Sequence, residues 1–143
     1  MSVQSRITLR VRYAETDQMG VVYHANYFVW FEIGRVELLR ELGFSYKQME
    51  AEDCSLPVVE ATCRYRAPAR YDEALVLHTR IGLLRSSLIK FEYKLSREDD
   101  AGAPTVLAEA ETTHLVVDHT MKKRRLPEKY ATVLRGAVLR DSP

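Results

Sequence analysis

The sequence predicts an α+β domain in which an antiparallel sheet wraps around one long helix. Three observations predict it: an opening segment with strict two-residue alternation, a long apolar segment of helical period, and a second half of strand patterns separated by turns. One helix enclosed by several antiparallel strands is an α+β arrangement. The high strand content leaves unpaired sheet edges, which favours a sheet that continues across a dimer.

The first element is predicted to be a half-buried strand over residues 6–13. Its apolar side chains fall at every second position and would face one side of a sheet, while polar side chains face the other. The apolar set is Ile7, Leu9, Val11 and Tyr13, and the polar set is Thr8, Arg10 and Arg12.

The pattern becomes helical over residues 26–42, where apolar side chains leave only a narrow polar stripe. A helix with so little polar surface should be largely buried. Asn26 is a candidate cap for its start, and Gly43 suits a left-handed stop at its end. Ser45 is expected to cap a short second helix that ends near Glu50. The polar stripe consists of Glu32, Arg35, Glu37 and Arg40.

Strand patterns then follow over residues 56–66, 73–83, 87–96 and 105–118, with turn-rich segments between them. A last helix is predicted from Pro127 or Glu128 to about Arg135, because proline is favoured in a first helical turn. No repeat, linker or low-complexity segment divides the chain. Residues 1–136 are therefore expected to form a single domain, with residues 137–143 as a frayed tail.

Composition restricts the functional class. A chain of 143 residues can bury a core without disulfides. Its 21 Lys and Arg nearly cancel its 20 Asp and Glu, so no global field argues for a nucleic-acid or membrane partner. No apolar run approaches the ~20 residues that span a bilayer, and the N-terminus lacks the layout of a signal peptide. The cytoplasm is the expected compartment.

Neither the cysteines nor the histidines predict a covalent link or a metal. If Cys54 and Cys63 lie on one extended strand, roughly 30 Å separates them, which is beyond the reach of a disulfide. Free thiols are therefore expected. His114 and His119 are five residues apart on a predicted strand and would point to opposite faces. We expect no metal site and no bound cofactor.

The most informative segment is YAETDQMGVVYHANY, residues 13–27. It places Asp17 three residues before Gly20, and the glycine turn leads directly into the long helix. A helix start offers unpaired N–H groups and a partial positive charge. A carboxylate beside such donors can act on a carbonyl whose oxygen they hold, which is the minimum equipment for acyl-group hydrolysis. Asp17 could equally be an ordinary turn or cap aspartate.

Two parts of the chain carry a family resemblance: residues 11–35, VRYAETDQMGVVYHANYFVWFEIGR, and more weakly HLVVD with the basic turn and Leu-Pro-Glu that follow. Together with the order of elements they resemble the hotdog-fold acyl-CoA thioesterases of the 4-hydroxybenzoyl-CoA thioesterase family, over about residues 7–130. The resemblance implies the hotdog fold and hydrolysis of an acyl-CoA to coenzyme A and a free acid. It also implies a homodimer or homotetramer with each active site between two subunits.

By that resemblance, Asp17 is the catalytic carboxylate, acting as general base or nucleophile. The backbone N–H of His24 polarises the thioester carbonyl, and Gly20 shapes the turn between them. The His24 imidazole is a weaker catalytic candidate than its backbone. The acyl group does not carry over, because Gln18-Met19 and His24 differ from the Pro-Ala pair and tyrosine of some members. The expected substrate contacts are Tyr13, Met19, Val22, Tyr23 and Tyr27. The coenzyme phosphates are expected to bind near Arg85, Ser86, Ser87 and Lys90, or alternatively near residues 122–125.

Other readings of the sequence remain open. The same residues could act on acyl groups attached to a carrier protein, or the scaffold could be a non-hydrolytic acyl-CoA binding module. Asp17 argues against a binding module, since a binder gains nothing from a carboxylate near a thioester. Glu32 and Glu37 are backup carboxylates because a related hotdog branch uses a helix glutamate, although exposed positions favour ordinary solvated side chains.

Overall fold

The computed structural model describes residues 4–99 and 102–139. The elements over these ranges are β1 (Ser5–Arg10), a 3₁₀ turn (Tyr13–Glu15), α1 (Asn26–Glu41), α2 (Tyr46–Ala51), β2 (Val58–Tyr65), β3 (Ala74–Arg85), β4 (Leu88–Glu98), β5 (Pro104–Leu115) and α3 (Glu128–Leu139). The strands form an antiparallel sheet of order β1-β3-β4-β5-β2, which packs against the long helix α1 and confirms the predicted fold class. None of the helices in these ranges is long and apolar enough to cross a bilayer.

The strand register fixes which side chains face α1. Tyr93 pairs with Thr79 on β3 and with Ala110 on β5, and Ala110 pairs with Cys63 on β2. Directly paired residues lie on the same face of an antiparallel sheet. Phe31 of α1 stacks on Tyr93 with 4.7 Å between ring centroids, so this row is the inner face. The core built on it includes Phe31, Leu38, Leu39, Leu75, Leu77, Ile81, Ile89, Phe91, Leu95 and Leu107.

A glycine lets α1 lie close against the sheet. A Cβ atom added at Gly34 would lie 2.7 Å from Leu77 Cδ2 and closer still to Thr79 Oγ1. Real Cβ atoms do not approach other atoms so closely, so a side chain at this position would force the helix away from β3.

The predicted end of α1 and the predicted start of α2 are confirmed. Gly43 has φ of 102°, and its N–H donates to Arg40 O while the N–H of Phe44 donates to Leu39 O. This pair of bonds is the Schellman arrangement that satisfies the last carbonyls of a helix. The Ser45 hydroxyl accepts the amide of Gln48 at 3.1 Å and caps α2.

The first strand is shorter than predicted. It ends at Arg10, and Val11 then donates to the carbonyl of Glu73 as the chain leaves the sheet. The next residues form the 3₁₀ turn, which leaves Tyr13 77% exposed with its ring edge-on to Tyr71. The prediction that the first strand continues to residue 13 was therefore wrong. Val11 is still buried, but Tyr13 does not face the core.

The last helix is longer than predicted. It continues past Arg135 to Leu139, and Ala137 is buried in the core. The first three residues of the segment expected to fray are therefore helical, because the apolar side of α3 still packs against the domain there. The remainder of that segment, residues 140–143, lies outside the described residues.

Candidate active site

Asp17 lies in a tight turn just before α1. Its amide donates to Val21 O at 2.9 Å, and the amide of Gly20 donates back to Asp17 O at 3.0 Å. Gly20 has φ of 81°, a conformation that favours glycine. Oδ1 of Asp17 accepts the amide of Met19 at 2.9 Å. The carboxylate thus stabilises its own turn through one oxygen, while Oδ2 makes no hydrogen bond within residues 4–99 and 102–139.

The start of α1 presents two unpaired backbone donors. The chain enters the helix through consecutive short turns, in which Asn26 donates to Tyr23 O and Phe28 donates to Ala25 O. The amides of His24 and Ala25 donate to no residue in the part of the chain that the structure describes. Free N–H groups at the positive end of a helix suit a developing negative charge on oxygen.

A cavity of about 330 Å³ is lined by both Asp17 and His24. The turn, the first residues of α1 and the segment after β2 form its walls. The predicted contacts Met19, Val22 and Tyr27 lie on it. Tyr13 and Tyr23 are not among its lining residues, since Tyr13 points to solvent and the Tyr23 ring lies beside the His24 imidazole. The other lining residues are Val21, Tyr65, Arg66, Ala67 and Pro68.

Tyr65, the last residue of β2, belongs to this site although no pattern in the sequence pointed to it. Its hydroxyl donates to His24 O at 2.9 Å. Its ring meets Tyr27 edge-on, with 4.9 Å between centroids. In a sequence, a tyrosine at the end of a strand cannot be distinguished from any other exposed strand residue. Only the folded chain brings Tyr65 to the start of α1.

Glu15 is a second residue that the sequence interpretation missed. Its buried carboxylate accepts the Arg12 amide at 2.7 Å, Trp30 Nε1 at 2.8 Å and the Arg12 guanidinium at 3.3 Å. Burial acts to raise the pKa of Glu15, but the hydrogen bonds from Arg12 and Trp30 outweigh it and lower the pKa. Its backbone oxygen accepts the amide of Tyr23 and the side chain of Asn26. Glu15 therefore joins the Asp17 turn to α1.

The prediction that Asn26 caps α1 was wrong. The capping position is Ala25, and the Asn26 side chain donates to Glu15 O at 2.8 Å instead. The helix start is held by Glu15 from outside the helix, so no capping side chain is needed at its first residue. Glu15 lies three residues after Arg12, the spacing at which a glutamate closes back onto the first amide of a helical turn. That spacing was the available signal.

The residues expected near the coenzyme phosphates lie at the opposite end of the sheet. Ser86 O accepts the amide of Leu126 at 2.8 Å, which joins the two predicted basic segments into one basic surface, residues 85–90 and 122–125. Tyr65 pairs with Ala108 and Leu88 pairs with Leu115, so seven residues of β5 separate the two ends. At about 3.4 Å per residue, the basic surface is roughly 24 Å from the Asp17 cavity of the same chain.

The backup carboxylates take no part in the cavity. Glu32 is exposed, and Glu37 pairs with Arg40 on the surface of α1. Cys54 and Cys63 are both free thiols. Across the described ranges, no group of three or more His, Cys, Asp or Glu side chains could hold a metal ion.

Comparison with known proteins identifies the family. Residues 11–134 match the model of the Thioesterase-like superfamily. The acyl-CoA thioester hydrolase YbgC of Escherichia coli O6:H1 is 38% identical over 124 residues, covering 86% of this chain and 90% of that protein. YneP of Bacillus subtilis is 52% identical over 77 residues, covering 54% of this chain and 56% of that protein.

A solved structure supports the same assignment. The crystal structure of a hypothetical protein from Thermus thermophilus superimposes with a TM-score of 0.85 at 39% identity, covering 94% of this chain and 97% of that chain. Fold, matched residues and relatives agree with one another. The chain therefore belongs to the Thioesterase-like superfamily and is a thioester hydrolase with the hotdog fold.

Proposed function

We propose that this protein hydrolyses acyl-CoA thioesters to coenzyme A and free carboxylic acids, using the Asp17 carboxylate and the His24 backbone N–H. One observation carries the proposal: a single cavity is lined by Asp17 and by His24, and neither Asp17 Oδ2 nor the His24 N–H has a hydrogen-bond partner among residues 4–99 and 102–139. The name of the E. coli relative, acyl-CoA thioester hydrolase, supports the choice of substrate class.

Two routes use this geometry. In the first, Asp17 takes a proton from water as the water oxygen bonds to the thioester carbon. The His24 N–H holds the resulting oxyanion, the C–S bond breaks, and the thiolate is protonated. In the second, an Asp17 oxygen attacks the carbon, the thiolate leaves, and water hydrolyses the mixed anhydride. General-base catalysis is worth ~10²–10⁴-fold, and an oxyanion donor about 2.7–4 kcal/mol. Neither route needs a metal or a bound cofactor.

The proposed site is completed by a second copy of the chain. β2 is an edge strand with nearly all of its residues exposed, and α1 exposes Val29 and Ile33. If the β2 strands of two copies pair antiparallel about a two-fold axis, the start of one strand lies beside the end of the other. The basic surface of the second copy then lies beside the Asp17 cavity of the first. This arrangement accounts for the roughly 24 Å between the two within one chain.

The first test is Asp17→Asn. Release of free thiol from acyl-CoA donors should fall by about 10²–10⁴-fold, while the melting temperature and the oligomer size stay at wild-type values. Asp72→Asn is the matched control, because Asp72 is an exposed aspartate that pairs with Arg10 and does not line the cavity. Turnover retained in Asp17→Asn would remove this residue from the mechanism.

A second experiment separates the alternative donors. Wild-type kinetics with matched acyl-CoA and acyl-carrier-protein substrates should give the higher kcat/KM for acyl-CoA. A higher value for the carrier protein would reassign the donor. Tight binding of acyl-CoA with no thiol release would indicate a binding module instead.

A further inference from the structure

We infer that Glu15 is a positioning residue, which holds the Asp17 turn against α1 and so places the Asp17 carboxylate relative to the His24 N–H. This inference rests on the proposed function, because it concerns how the two proposed catalytic groups are held together. Three observations carry it: the hairpin that connects the two groups, the bonds from Glu15 to α1, and the burial of the Glu15 carboxylate.

A short hairpin, residues 15–23, connects the two groups. Asp17 lies at its turn, and His24 follows its second arm. The arms are joined at the open end, where the Tyr23 amide donates to Glu15 O at 2.9 Å. A tilt of the hairpin about this open end would move the carboxylate of Asp17 and leave the helix start in place.

Glu15 is bonded to α1 at two successive turns of the helix. Its backbone oxygen accepts Asn26 Nδ2 at 2.8 Å, and its carboxylate accepts Trp30 Nε1 at 2.8 Å. Asn26 and Trp30 are four residues apart and therefore lie on one face of the helix. On its other side the hairpin is bound to the segment after β2, through the Val22 amide to Ala69 O at 2.9 Å. Glu15 thus fixes the tilt of the hairpin on α1.

The Glu15 carboxylate is enclosed and charged. Glu15 is 5% exposed and Trp30 is 3% exposed, so the bond between them is shielded from water. Burial acts to raise the pKa of Glu15, but the hydrogen bonds from Arg12 and Trp30 lower it, so the carboxylate is ionised near neutral pH. Its partners are all N–H donors, from the Arg12 amide, the Arg12 guanidinium and the Trp30 indole. Only a side chain that accepts through both oxygens satisfies them.

The decisive variant is Glu15→Gln, which keeps the size of the side chain and replaces one acceptor oxygen by an NH₂ group. One of the N–H donors then faces another donor, and the charge that strengthens every bond to this carboxylate is removed. Because a catalytic group displaced by about 1 Å can cost about 10²-fold, we expect kcat to fall by about 10–10²-fold. KM should stay near its wild-type value, since Glu15 does not line the cavity.

Glu73→Gln is the matched control. The Glu73 carboxylate also accepts the amide of the residue three positions earlier, Arg70 N at 2.7 Å, and also pairs with a guanidinium, that of Arg97 at 3.1 Å. Glu73 does not line the cavity. Glu73→Gln should therefore keep the wild-type kcat and KM.

Trp30→Phe removes the same bond from the side of the helix and should also lower kcat. If Glu15→Gln does not fold, Trp30→Phe takes its place in the kinetic and spectroscopic tests. Because both variants break one contact, Glu15→Gln/Trp30→Phe should lose little more activity than the more damaged single variant. Trp30 also packs on Tyr27, with 5.2 Å between ring centroids. If that packing caused the fall in Trp30→Phe, the two effects would multiply.

A spectroscopic measurement separates the placement of Asp17 from damage to the whole site. The peptide unit that carries the His24 N–H is held at the helix start, because Tyr23 O accepts the Asn26 amide at 2.9 Å. Acyl-CoA bound to Asp17→Asn and to Asp17→Asn/Glu15→Gln should therefore show the same C=O stretch.

Four results would each overturn the inference: a different C=O stretch, an unchanged kcat in Glu15→Gln or Trp30→Phe, an equal fall in Glu73→Gln, or effects that multiply in the double variant. Continued turnover by Asp17→Asn would instead overturn the proposed function, whatever Glu15→Gln does.

Discussion

His114 is a fully buried polar residue whose hydrogen bonds define its protonation state. Nδ1 lies 2.9 Å from Leu56 O, which can only accept, so Nδ1 carries the hydrogen. Nε2 lies 2.8 Å from Thr112 Oγ1 and accepts its hydrogen, and Thr112 in turn accepts from Tyr93 Oη at 2.6 Å. The neutral imidazole satisfies every bond. Burial, the main cause, lowers the pKa of His114 to about 4.

This environment predicts a loss of stability in mild acid. The unfolded chain binds a proton at His114 near pH 6.5, whereas the folded chain binds it only near pH 4. Between these values the unfolded state holds more protons, so the free energy of unfolding decreases as the pH falls. At about 1.4 kcal/mol per pH unit, the loss is about 3 kcal/mol. Urea unfolding from pH 4.5 to 7.5 should show this slope in wild type and a smaller one in His114→Leu; identical slopes would contradict it.

At the residue scale, the proposed catalytic residues could be chosen from the sequence, whereas the residues that support them could not. Asp17, Gly20 and His24 lie within eight residues of one another, so one local motif was enough to propose them. Tyr65 lies 41 residues after His24 and reaches it only through the fold. The burial of Glu15 could not be predicted from the local segment, because its partner Trp30 lies in the next element.

At the element scale, Gly34 makes α1 sensitive to a single methyl group. Gly34→Ala gains about 1 kcal/mol of helix propensity, but its Cβ would collide with Thr79 and Leu77. Overpacking costs about 1–3 kcal/mol, so the variant should be less stable than wild type in urea unfolding. Gly136→Ala in α3 is the control, because a Cβ there meets no atom within 4 Å and should stabilise the fold. Equal stabilisation by both variants would show that α1 can shift freely.

Element ends were predictable where one residue type determines them and not where tertiary contacts do. Gly43 and Ser45 set the end of α1 and the start of α2 through their own conformation and side chain. β1 stops earlier than its alternation suggests because Glu15 closes a turn onto Arg12. α3 continues further than its sequence suggests because Ala137 is buried against the core.

At the scale of the whole molecule, the exposed apolar side chains of α1 and β2 predict a dimer face. Ile33 is 43% exposed and Val59 is 52% exposed. Ile33→Glu and Val59→Glu should each place a charge in the proposed interface. Each variant should therefore have the mass of a monomer in size-exclusion chromatography with light scattering, and its activity should be lower than that of wild type. Val133→Glu is the control, since Val133 is 39% exposed on α3, away from the β2 edge. A wild-type mass for both interface variants would place the contact elsewhere.

The distance between the Asp17 cavity and the basic surface of the same chain predicts that two inactive variants can restore activity when their subunits mix. If two copies of the chain form each site as proposed, Asp17→Asn and Arg85→Glu should each inactivate a different half of every site. In a hybrid of the two, one site combines both defects and the other combines both intact halves. An equal mixture that exchanges subunits at random contains half hybrids with one working site in two, so about a quarter of wild-type turnover should return.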